Sequence, residues 1–275
     1  MKKIELEELK KIELEVLCEI HKICQEQGIR YSLAEGTLIG AVRHKGFIPW
    51  DDDIDIFMPR PDYDRFIEYC RTNEAPFDII CAETNDKYKY LFAKAMAKNT
   101  IIIEEYSNSD DIEMGIYVDI FPVDGLADTY EGAKKEFSKT SFKRELLVAK
   151  NWTKYQRSKT RSWIYEPIRF AFFVLSRFVS AKKLIKSLNK RLKRNSFEEK
   201  AYSACVMSAY RQKEIMEADI FKEYVDVEFE GKTFKMFKNY HSCLSNIYGN
   251  YMELPPEEKR ISRHSFEAYH KEIDN

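Results

Sequence analysis

The order of apolar and polar residues predicts an α+β fold, a mixed sheet flanked by helices. Three observations lead there. Residues 3–27 repeat their apolar positions at helical spacing. Several short runs rich in β-branched and aromatic residues follow, separated by glycine and proline. After about residue 130 the chain turns strongly basic and helical in pattern.

In the first helix Ile4, Leu6, Leu9, Ile12, Leu14, Val16, Leu17, Ile20, Ile23 and Cys24 form a broad apolar stripe, and Gly28 suits the position just past its end. A strand is expected over residues 29–36, then a short helix over 37–46 closed by Gly46. Residues 51–58, DDDIDIFM, alternate as a strand does; Pro59 ends them and Pro61 opens a helix with Tyr63, Phe66, Ile67 and Cys70 on one face. Further strands are expected at 77–83, 89–97, 100–106 and 114–126, the last stopped by Pro122 and Gly125.

The chain divides by composition into a core over 1–130, a basic helical region over 131–204, and a C-terminal mixed segment over 205–275 that packs on the core. Its 45 lysines and arginines against 46 acids leave a net charge of −1, so total charge names no partner. The distribution is uneven. Between Lys134 and Arg194 nineteen basic residues face three acids, Glu136, Glu145 and Glu166. The six cysteines are scattered with no C-x-x-C pair, which predicts free thiols in a reducing compartment. The charged N-terminus lacks the apolar stretch of a signal peptide, and no run is long enough to span a bilayer. A cytoplasmic protein is expected.

The acidic strand carries the chemistry. On an extended strand Asp51, Asp53 and Asp55 would share one face and Asp52, Ile54 and Ile56 the other. Carboxylates side by side in a half-buried place repel one another unless a cation neutralises them, and hard oxygen donors suit Mg²⁺ or Mn²⁺. Asp119 lies inside a second apolar strand, where an unpaired carboxylate is costly. Beside Asp53 and Asp55 it would complete a metal cage able to clamp both oxygens of a displacement at phosphorus. The alternative is that Asp119 pairs with a lysine such as Lys94 or Lys98.

Upstream, Gly36 and Thr37 join a strand to a helix, where backbone N–H groups favour phosphate. Gly36 allows close approach, and the Thr37 hydroxyl can donate to a phosphate oxygen. Between them and the aspartates lie Arg43, which can grip phosphate bidentately, His44, a candidate acid or base, and Lys45, a further positive charge. Trp50 can stack on a base or face a cationic head group, or simply pack. A strand, Gly-Thr, a helix, Asp-x-Asp on a second strand and Asp on a third resemble the nucleotidyltransferase superfamily, although the fifteen residues between Thr37 and Asp53 are slightly more than usual there.

The run GTLIGAVRHKGFIPWDDDIDIFMPRPDYDRF resembles the signature of the LicD family of bacterial phosphocholine transferases, to which the fukutin-type transferases are related. GIYVDIFPVDGL and YGNYMELPPEEKRI are similar to later parts of that family. The resemblance implies a nucleotidyltransferase-like core that moves phosphocholine from CDP-choline to a hydroxyl of teichoic acid, lipopolysaccharide or capsule, releasing CMP. It implies Asp53, Asp55 and Asp119 as catalytic metal ligands for Mg²⁺ or Mn²⁺ with Asp51 in support, and Gly36, Thr37 and Arg43 toward the donor phosphates. Transfer of another alcohol or sugar phosphate from a CDP donor, or true nucleotidyl transfer, are the alternatives. The partners implied are a CDP-alcohol and a glycan, free or lipid-linked. No nucleic-acid module accompanies the basic region. Its aromatics and lysines suit an interfacial helix on anionic lipid, at the inner face of the plasma membrane, or else a core helix with a solvated basic side.

Overall fold

The N-terminal stripe becomes helix α1 (Leu6–Gln27), closed by Gly28 in the left-handed conformation (φ 59°). Lys3 and Ile4, expected in its first turn, belong instead to strand β1 (Lys2–Ile4), which pairs with a strand formed by residues 266–270. The computed structural model describes residues 1–104, 112–155, 157–158, 162–261 and 266–271. In chain order the elements that follow are β2 (Ser32–Leu33), α2 (Glu35–His44), β3 (Ile54–Pro59), α3 (Arg60–Thr72), β4 (Phe77–Ile80), β5 (Ala93–Ala97), β6 (Thr100–Glu104) and β7 (Tyr117–Ala127). The helices α4 (Tyr130–Lys150), α5 (Glu166–Arg177) and α6 (Ala181–Leu192) make up the basic region. Strands β8 (Tyr202–Ala204), β9 (Met216–Glu217), β10 (Tyr224–Phe229) and β11 (Lys232–Phe237), helix α7 (Tyr240–Tyr248) and strand β12 (Phe266–His270) complete the chain. The fold is α+β, as the sequence predicts.

The main sheet runs β2-β3-β7-β5-β4, with β3 and β7 parallel and the other neighbours antiparallel. α1 and α3 pack on it, and their Leu17, Ile20, Tyr63 and Phe66 join Ile54, Ile56, Val118 and Ile120 of the sheet in one buried cluster. A second sheet, β1-β12-β6, joins the two ends of the chain. The strand expected at 100–106 is observed as far as Glu104, and its last two residues lie outside the described ones. β10 and β11 form a hairpin turning on Glu230 and Gly231, both at positive φ.

Two boundaries moved for physical reasons. β7 runs through Pro122 and Gly125, which were expected to stop it. β5 flanks β7 only as far as Ile120 and β8 only from Asp124, so Pro122 falls where one side of the strand has no ladder partner to miss its N–H. Conversely, the acidic strand begins at Ile54, so Asp51, Asp52 and Asp53 lie in irregular backbone between the turn at Pro49 and Trp50 and the strand rather than in its pleat.

The six cysteines are free thiols, five of them buried. No helix among the described residues is long and apolar enough to cross a membrane.

Candidate active site

The centre of the site is a row across the sheet. Asp55 on β3 is in register with Asp119 on β7, and Asp119 is opposite Lys94 on β5. In-register neighbours project from the same face, so the three side chains stand side by side. Lys94 Nζ lies 2.5 Å from Asp119 Oδ1 and 3.3 Å from the centre of the Tyr117 ring. The lysine alternative for Asp119 is therefore realised together with the approach of Asp119 to Asp55. Asp51, Asp52 and Asp53 each offer a carboxylate oxygen within 4.8 Å of the others, a set that could hold a metal ion. Asp52, which strand alternation would have turned away, is included because these residues precede the strand.

α2 shapes the other wall. A Cβ on Gly36 would stand 2.5 Å from Asp51 Oδ2, so only a bare Cα lets that carboxylate lie against the first turn of the helix. A helix N-terminus favours such an anion. The Thr37 hydroxyl, expected to meet phosphate, is buried and accepts the Asp55 N–H at 2.8 Å; Ala34 N–H donates to the Asp55 carbonyl. Together they tie α2 to β3.

The basic turn faces elsewhere. Arg43, expected to grip phosphate, donates from Nη1 to the carbonyl oxygens of Tyr251 (2.7 Å) and Glu253 (3.3 Å), and from Nε to His44 Nε2 (2.9 Å). His44 is thus an acceptor, and burial followed by the Arg43 charge lowers its pKa, so it stays neutral. Lys45 is exposed and pairs with Glu228. Trp50 packs on the core with the Arg260 guanidinium 5.7 Å from its ring. The Glu230 carboxylate accepts the Phe47 N–H and its own N–H donates to the Lys45 carbonyl, so the hairpin holds the turn as well.

Sequence reasoning missed two carboxyls. Glu13 projects from α1 into the core, with burial and then Asp53, Asp52 and Asp119 raising its pKa well above the usual carboxylate range. Glu35 opens α2 at φ 42°, and its enclosed Oε1 has no hydrogen-bond partner. Burial pushes its pKa up to about 7, with Asp119 and Asp51 adding to the rise and Ser208 opposing it. Asp55 is raised well above its ordinary value by burial and then by Asp53, Glu35, Asp119 and Asp51. So many carboxyls, with an enclosed oxygen unpartnered on both Glu13 and Glu35, fit a divalent cation with hard oxygen ligands.

The pH dependence follows. Without a cation, the folded chain keeps protons on Glu13, Glu35 and Asp55 that the unfolded chain releases near the ordinary values of 4.5 for glutamate and 3.8 for aspartate. Stability therefore falls as pH rises from there through about 7, where Glu35 ionises in the folded state. The cation-free protein should melt at a higher temperature at about pH 5.5 than at about pH 7.5, and saturating Mg²⁺ should close that gap. Equal cation-free melting temperatures at the two values would contradict the clustering.

A family model described as "LicD/FKTN/FKRP, nucleotidyltransferase domain" matches residues 28–156, which include every residue of this row. The chain is 32% identical over 283 aligned positions to the lipopolysaccharide cholinephosphotransferase LicD of Haemophilus influenzae, spanning 98% of this chain and 99% of that protein. Shorter stretches resemble uncharacterized proteins of Rickettsia typhi (38% over 63 residues, 22% of this chain and 20% of that protein) and Rickettsia prowazekii (42% over 48 residues, 18% of each). With end-to-end similarity added to the family match, the chain belongs to the LicD family and is a transferase.

Proposed function

We propose that this protein transfers phosphocholine from CDP-choline to a hydroxyl of a cell-surface glycan, working peripherally at an anionic membrane face. The observation that carries the reading is the cluster of Asp51, Asp52 and Asp53 just before β3, near enough to the Asp55–Asp119 pair at the β3–β7 seam to act on the Asp55 carboxyl, in a chain similar along its whole length to one named for that transfer. In this reading Asp53, Asp55 and Asp119 hold Mg²⁺ or Mn²⁺, with Asp51 in support. The cation supplies positive charge that neutralises the diphosphate of the donor.

The chain's own residues do the rest. Gly36 lets the Asp51 carboxylate lie against the first turn of α2, and Thr37 fixes Asp55 through its N–H. Lys94 holds Asp119 in place and contributes charge beside it. The acceptor oxygen bonds to the phosphorus that carries choline, the bond from that phosphorus to the CMP oxygen breaks, and a carboxylate of the cluster takes the hydroxyl proton. Arg43 and Trp50 shape the turn that presents the aspartates.

The test supplies purified protein with Mg²⁺, CDP-choline and de-cholinated lipopolysaccharide. Phosphocholine on the glycan and CMP in equal amounts are expected, and chelation of the cation should stop both. Pyrophosphate released from a nucleoside triphosphate, with the nucleotide left on the glycan, would replace this reading by nucleotidyl transfer. CMP formed only from a different CDP-alcohol would replace choline.

A further inference from the structure

Helix α5 is amphipathic with its apolar stripe facing out. Ile168, Leu175 and Phe178 are 57%, 49% and 84% exposed and, with exposed Ala171, recur at helical spacing along one side. Trp163 (79%) and Ile164 (64%), in the 3₁₀ turn Trp163–Tyr165 just before, prolong the stripe. The other side is occupied: Phe172 packs against Phe142 at 5.5 Å between ring centres, and Phe173 stacks on Trp152.

This orientation is held firmly. Arg177 donates to the carbonyls of Ala149 and Trp152 at the end of α4, while Lys150 donates to those of Ser176 and Arg177 at the end of α5. Each helix thus caps the other's C-terminus. α4 in turn rests on β7, the strand that carries Asp119.

The surroundings decide what covers the stripe. Residues 146–197 contain fourteen lysines and arginines against one acid, Glu166, whose carboxylate is engaged by Tyr155, Ser158 and Arg169. Exposed Arg157 lies upstream of the stripe and exposed Lys183 and Lys186 downstream. A second copy of the chain on this face would bring two like-charged surfaces together. An anionic lipid surface matches both the apolar stripe and its basic margins. At twelve residues, about 18 Å, α5 is too short to span a bilayer.

We propose that α5 and the turn before it lie flat in the headgroup layer of an anionic bilayer, with Ile164, Ile168, Leu175 and Phe178 toward the acyl chains. This rests on the membrane part of the proposed function and names the face that carries it. Substrate-free protein is sedimented with vesicles of phosphatidylcholine, alone or with about 30% phosphatidylglycerol. We expect about tenfold stronger partitioning onto the anionic vesicles, weakened by salt. The double variant Ile168→Glu/Leu175→Glu should lose about tenfold of that binding, with melting and CMP release in vesicle-free assays unchanged. Equal partitioning onto both vesicles, a double variant that binds like the parent, or a dimer abolished by the double variant without any vesicle binding would each overturn the proposal. Because CMP release is assayed without vesicles, failure of docking and failure of the chemistry are read separately.

Discussion

On the proposed reading, Asp53→Asn or Asp55→Asn should reduce phosphocholine transfer by about 10³-fold or more, since each would remove a charge offered to the divalent cation while keeping the side chain's shape. Asp55 is the more informative. Its carboxyl is 7% exposed and costly to ionise among Asp53, Glu35, Asp119 and Asp51. Asparagine keeps the shape and drops the charge, so cation-free Asp55→Asn should melt no lower than the parent at neutral pH. The parent should gain about 2.7 kcal/mol from Mg²⁺ at a hundred times its dissociation constant, and the variant should lose most of that gain. Turnover and Mg²⁺-dependent melting are measured on the same samples. Parental turnover together with an undiminished Mg²⁺ shift would remove Asp55 from the site.

Breaking the Arg60–Asp124 pair is expected to have the largest effect on stability. Arg60 begins α3 and Asp124 lies on β7; Nε and Nη2 meet the two carboxylate oxygens at 2.7 and 2.8 Å, with the residues 6% and 1% exposed. Arg60→Met strands a buried carboxylate, which costs about 3–5 kcal/mol. For a chain of this size that lowers the melting temperature by roughly 10 °C. The double variant Arg60→Met/Asp124→Leu should recover much of the loss, because neither charge is then buried alone. A double variant no better than the single would show that the arginine acts through packing, for instance over the Tyr63 ring 5.1 Å away.

How far the site can be read from sequence depends on what makes each residue unusual there. Asp55 and Asp119 stand out because a carboxylate inside an apolar strand is anomalous before any contact is known, and their register sets them side by side. Lys94 stood among the named alternatives for the same reason. Glu13 and Glu35 did not stand out. Glu13 occupies a helix crowded with acids, and only packing on the sheet turns it inward. Glu35 read as the end of a strand, whereas β2 stops at Leu33 and α2 starts at Glu35. The basic turn misled in the opposite direction. Arg43 beside a phosphate-binding motif suggests a phosphate ligand, but its partners are carbonyls more than two hundred positions away, which no local pattern reveals. Pro122 and Gly125 stop a strand in most contexts; here the absence of a second neighbour lets it continue.

The clamp of Arg43 on Tyr251 and Glu253, with Arg260 over Trp50, has a consequence for biosynthesis. The aspartate segment is translated some two hundred positions ahead of the residues that brace it. In the proposed reading, a growing polypeptide stalled before position 250 would carry Asp51, Asp53, Asp55 and Asp119 and still lack the brace, so tight cation capture should begin only after residues 251–260 have been added.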